Sequence, residues 1–113
     1  MNTDEFRRQM WAHETEKTFQ TRVINIARAF GWGPIYHTQF SIHSVRGYPD
    51  LHMLRGERSL FAELKTMRGV VKPDQQMWVD ALAAAGHEAY LWRPSDIDEI
   101  EAVLAAKERP DGK

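Results

Sequence analysis

Gly47-Tyr48-Pro49-Asp50-Leu51-His52-Met53-Leu54-Arg55-Gly56-Glu57-Arg58-Ser59-Leu60-Phe61-Ala62-Glu63-Leu64-Lys65 decides how this chain folds. Two apolar runs flank Arg-Gly-Glu-Arg. Gly-X is the signature of a two-residue hairpin loop, because glycine takes a positive φ at the first loop position without strain. With Gly56 and Glu57 as the loop, Arg55 faces Arg58, Leu54 faces Ser59, Met53 faces Leu60, His52 faces Phe61 and Leu51 faces Ala62. Asp50 then faces Glu63, with Cβ atoms roughly 5 Å apart. Lys65 lies two residues beyond Glu63 and projects from the same side of the strand.

Like charges opposed in a sheet repel. A shared proton would relieve that repulsion but would leave the lysine unexplained. A hard divalent cation such as Mg²⁺ or Mn²⁺ would also relieve it, since such ions take carboxylate oxygens and waters. Two acids, one lysine and one face suggest metal-assisted hydrolysis of a phosphodiester, with the ammonium holding water or developing phosphate charge. A plain hairpin with a turn-capping Asp and a solvated Glu and Lys has the same spacing. The run Leu60-Phe61-Ala62-Glu63-Leu64-Lys65 reads as buried, however, which argues against solvation.

Pro49-Asp50 followed by Glu63-Leu64-Lys65 resembles the PD-(D/E)xK nuclease motif. Gly47-Tyr48-Pro49-Asp50-Leu51, Gln75 three residues before Trp78, and Trp92-Arg93-Pro94 are similar to the VRR-NUC branch in its short standalone form. The resemblance runs from about residue 16 to about residue 100. It implies a restriction-endonuclease-like α/β fold, a mixed sheet flanked by helices in the order α-β-β-β-α-β-α. It implies Asp50 and Glu63 as metal ligands, the Leu64 carbonyl as a further ligand, and Glu16 as an additional acid. Lys65 would help to activate water, and Gln75 would orient groups beside it. The implied activity is a Mg²⁺- or Mn²⁺-dependent DNA endonuclease selective for branched or junction DNA, working as a homodimer that resembles a Holliday-junction resolvase. Two sites related by a two-fold would suit paired cuts. A non-catalytic DNA-binding or assembly module would be expected to carry a broken motif. A hydrolase of small phosphate esters would be expected to have a closed pocket.

The rest of the chain is read outward from this stretch. Its 113 residues make one domain, with a helical arm over 1–12 and a polar tail over 108–113. There is no cysteine, which fits a reducing cytoplasm and excludes a thiolate zinc site. No apolar stretch is long enough to span a membrane, and the N-terminus lacks a signal-peptide core. Net charge is −1, but residues 46–72 carry six Lys/Arg against three acids. A basic stretch beside a site is what a phosphate backbone requires. Arg46, Arg68, Lys72 and His43 are the candidate DNA contacts, and His37 could likewise contact phosphate. On the other reading these are ordinary solvated surface charges.

Upstream, residues 13–30 have helical periodicity, with Phe19, Val23, Ile26, Ala27 and Phe30 in one stripe and Glu16 at its edge. Glycines 31 and 33 stop that helix. Residues 35–40 read as a strand. Downstream, Pro73 opens a helix to about Ala85, with Gln75, Trp78, Ala81, Leu82 and Ala85 on its apolar face. Residues 87–92 read as a short strand. Ser95-Asp96 starts a last helix with Ile97, Ile100, Val103 and Leu104 inward.

Overall fold

A computed structural model describes residues 1–38 and 45–110. In chain order the elements are α1 (Thr3–His13), α2 (Glu16–Ala29), β1 (Ile35–His37), β2 (Leu51–Arg55), β3 (Arg58–Leu64), α3 (Pro73–Ala84), β4 (Glu88–Trp92), a 3₁₀ turn (Pro94–Asp96) and α4 (Ile97–Ala105). The sheet order is β1-β2-β3-β4. The first two pairings are antiparallel and β3–β4 is parallel, so the sheet is mixed. A parallel step needs a crossover, and α3 supplies it.

The hairpin register from Arg55–Arg58 to Leu51–Ala62 is the one the turn dictates, and Gly56 has φ 58°. The ladder stops there. Asp50 sits at a bend before β2, so it is not the ladder partner of Glu63. Its carboxylate instead accepts the backbone N–H of Leu64, at 2.8 Å from Oδ2.

The arm and the helix expected over 13–30 both form, but the second helix starts at Glu16, not at residue 13. Thr15 and Thr18 exchange hydrogen bonds, each hydroxyl accepting the other's backbone N–H at 3.1 and 3.0 Å. That reciprocal cap starts α2 at Glu16. Phe30 falls outside the helix and is exposed. At the other end, Trp32 N–H bonds Ala27 O and Gly31 N–H bonds Arg28 O, a Schellman closure with Gly31 at φ 89°. It turns Trp32 into the core, where Nε1 donates to Leu104 O at 2.8 Å.

Leu51, Met53, Leu60, Ala62 and Leu64 line one sheet face and are fully buried. They pack with Phe19, Val23 and Ala27 of α2 and Ile100, Val103 and Leu104 of α4. α3 covers β3 and β4 on the other side of the crossover. Its buried residue is Val79, while Ala81 and Ala85 are exposed and Gln75, Trp78 and Leu82 are half-buried. The apolar face is thus rotated from the one expected. Ser95 is not the cap of the last helix; Asp96 Oδ2 accepts the Arg93 N–H at 2.8 Å instead.

Arg58 and Glu88 form a buried ion pair, at 2.6 and 3.1 Å, beneath the Trp32 ring. Arg58 Nη1 also donates to Val103 O and Ala106 O. Arg55 donates to Leu104 O and Ala106 O, both at 3.0 Å. The arginines flanking the hairpin loop therefore close the C-terminus of α4, whose last carbonyls need partners. Among the described residues no helix is long and apolar enough to cross a membrane.

Candidate active site

Three carboxylates from distant parts of the chain converge. Glu16, at the first turn of α2, Asp50, at the bend before β2, and Glu63, near the end of β3, offer oxygens all within 4.8 Å of one another. Glu63 is buried, Asp50 half-buried and Glu16 exposed, so the cluster grades from core to solvent. Glu63 Oε2 has no hydrogen-bond partner among the described residues. An orphaned buried carboxylate oxygen costs free energy unless something satisfies it. Three close carboxylate oxygens without a soft ligand fit a hard divalent cation, with Glu16, Asp50 and Glu63 as holders.

The electrostatics agree with that crowding. Burial first, then a hydrogen bond and charge repulsion from Asp50, push the Glu63 carboxyl up to about 9. Glu16 repulsion adds to this and the Lys65 ammonium opposes it. The Glu16 carboxyl is also raised, first by burial and then by Asp50, again against Lys65. Lys65 is itself buried, so its ammonium lies near the acids in a place with little water. Gly69 packs against its stem, where an added Cβ would stand 3.4 Å from Cδ.

The Pro49-Asp50 step is held from several sides. Thr38 N–H donates to Asp50 O and Thr38 Oγ1 donates to Pro49 O, both at 2.8 Å. Gly47, at φ 82°, lies against the first turn of α3. A Cβ there would stand 2.5 Å from the carbonyl carbon and oxygen of Asp74. Nothing in the sequence around Gly47 signals this close approach. Gly47→Ala is expected to cost roughly 2–3 kcal/mol and about 10 °C in Tm. Paired melting curves of the native and Gly47→Ala proteins check this.

The remaining candidates are scattered around this centre. Gln75 is half-buried, and its Oε1 accepts the Lys72 N–H at 2.9 Å, so that oxygen caps α3. Leu64 is fully buried, and its N–H is the one given to Asp50. Arg46, Arg68, Lys72 and His37 are exposed. His43 lies outside the described residues. No protein-family model, curated protein or solved structure matches the chain.

Two positioning residues carry no signal of their own in the sequence. Thr38 is an ordinary strand-end threonine until the fold brings it to Pro49. Arg93, quoted above only as part of a motif, donates to Thr66 O at 2.6 Å and Gly69 O at 2.8 Å. It curls the segment that leaves Lys65 and carries Arg68. The basic balance of residues 46–72 is also redistributed. Arg55 and Arg58 serve α4 and Glu88, leaving Arg46, Arg68 and Lys72 exposed to solvent.

Proposed function

We propose that this chain is a Mg²⁺- or Mn²⁺-dependent DNA endonuclease of the PD-(D/E)xK kind, with a restriction-endonuclease-like core and VRR-NUC-like motifs. The observation that carries the reading is the gathering of Glu16, Asp50 and Glu63 oxygens within 4.8 Å, with buried Lys65 alongside. Asp50 and Glu63 hold the ion, Glu16 completes the acidic set, and the Leu64 carbonyl is a further ligand. A bound divalent ion supplies acidified water and stabilisation of phosphate charge. Lys65 holds the attacking water and neutralises charge that develops on phosphate. Gln75 contributes through its NH₂ end, because its oxygen is committed to the Lys72 N–H. Water oxygen bonds to phosphorus, one P–O ester bond breaks, and the leaving oxygen takes a proton.

Arg46, Arg68 and Lys72, exposed, and His43 provide the phosphate contacts. Branched or junction DNA is the expected substrate, and a homodimer would present two such sites to a two-fold symmetric junction. Labelled linear duplex, flap and four-way junction DNA incubated with Mg²⁺, Mn²⁺ or EDTA test the reading. Cutting is expected with either ion and none with EDTA. Lys65→Ala is expected to lower the cutting rate about 10²–10³-fold while leaving DNA affinity within about twofold. Cutting that survives EDTA, or a Lys65→Ala protein as active as the native one, would overturn it.

A further inference from the structure

One row of the sheet remains without a role in the site just described. Tyr36 of β1 pairs with His52 of β2, and His52 pairs with Phe61 of β3. Cross-strand partners share a face, so the three rings stand side by side. The His52 and Phe61 rings are stacked, with centroids 4.1 Å apart and planes 10° from parallel. His52 Nε2 lies 2.8 Å from Ser59 Oγ, which fixes the imidazole in that plane. Phe61 is buried and is further covered by Tyr48, whose ring in turn meets Trp78 of α3. The row therefore rises out of the core towards the β1 side. His52 is half-buried there and Tyr36 is 61% exposed.

The row adjoins the acidic cluster. Glu63 follows Phe61 by two residues on the same face of β3, and Asp50 precedes His52 by two. Two residues of strand span about 6.6 Å, the step from Phe61 to Glu63. Tyr36 stands two strand spacings of about 4.8 Å to the side of Phe61, so the platform lies within about two nucleotides of the acids. What is open to solvent is one ring and part of a second. That is far below the roughly 800 Å² per partner of a stable protein interface, but it matches the face of a single base. Aromatic faces bind bases by stacking, whatever the base, and a base can be stacked this way only when it is unpaired.

We propose that Tyr36 and His52 form a stacking platform for an unpaired base next to the scissile phosphate. Selection for branches that carry an unpaired base, such as flaps, would then come from this platform, which a fully paired duplex cannot use. The proposal rests on the nuclease reading above and names the feature of the substrate that the site recognises.

The test is binding, measured with Ca²⁺ in place of the catalytic ion. The probes are a blunt duplex and the same duplex carrying a single-stranded flap with 2-aminopurine beside the branch. The native protein is expected to bind the flapped DNA more tightly and to quench the 2-aminopurine. Tyr36→Ala is expected to weaken flap binding roughly tenfold and lose the quench, with duplex affinity unchanged. Tyr36→Phe keeps the ring and is expected to behave as native. Tyr36 is exposed, so folding survives the change, and a melting curve checks it. Equal flap affinity in Tyr36→Ala and the native chain, or equal losses on flap and duplex, overturns the platform while leaving the nuclease reading standing. A native protein that neither binds nor cuts any DNA overturns both.

Discussion

Glu63→Gln is expected to make the metal-free protein more stable at pH 8 and to make it inactive. The Glu63 carboxyl has an ordinary value of 4.5 and is pushed up to about 9 by burial and by Asp50. The folded state therefore binds the proton more tightly than the unfolded chain does. The stability this contributes is complete below about pH 4.5 and drains away as pH rises through about 9. Glutamine keeps the shape, cannot ionise, and so removes that drain. The melting temperature of the metal-free native protein should fall across this window relative to the variant. By pH 8 the variant should melt higher, by on the order of 10 °C. On the proposed metal reading, saturating Mn²⁺ should reverse the ranking, because a glutamine would be a poorer ligand than the carboxylate and binding to the folded state stabilises it. Cleavage should fall at least 10²-fold. Parallel melting curves for the two proteins from pH 5 to 9 would show that Glu63 is not crowded in the way its surroundings indicate.

Arg58→Met carries the second large effect. Arg58 and Glu88 are both buried, and their contact is 2.6 Å. Removing the guanidinium strands the Glu88 carboxylate in the core, save for a 3.2 Å bond from Tyr90 Oη. It also removes the donor to Val103 O and Ala106 O at the end of α4. Breaking a buried pair on one side costs about 3–5 kcal/mol, or on the order of 15 °C in Tm for a domain this size. Replacing both partners with apolar residues leaves no stranded charge. Arg58→Met with Glu88→Leu should therefore recover much of the loss. A single variant melting within about 3 °C of native would mean that the pair contributes little.

The hairpin and the long-range contacts were unequally visible in the sequence. The hairpin register followed from Gly56 alone, because a two-residue loop leaves no freedom in the pairing. The convergence of Asp50 and Glu63 followed from that register, though Asp50 reaches the cluster from a bend and not from the ladder. Glu16 sat correctly at the edge of its stripe, because the period of α2 fixes which residues face the sheet. What could not be read were the contacts between segments far apart in sequence. Arg58 read only as a residue flanking the hairpin loop in a basic stretch; only the third dimension brings Glu88 and the end of α4 to it. The helical period runs back past Thr15, so it placed the start of α2 at residue 13 and not at Glu16, where the reciprocal cap of Thr15 with Thr18 sets it. The apolar face of α3 was misplaced because its alanines mimic core positions while Val79 is the residue that packs.

The three acids come from the first long helix, a bend and a central strand, and none is a local neighbour of another. No fragment or partly ordered state can assemble them; helical content without native docking would leave them scattered. On the proposed metal reading, divalent-ion affinity is therefore a gauge of tertiary order in this protein. A titration followed through a denaturation series would report when α2 seats on the sheet, an event that far-ultraviolet circular dichroism, which registers the helix whether docked or free, would miss.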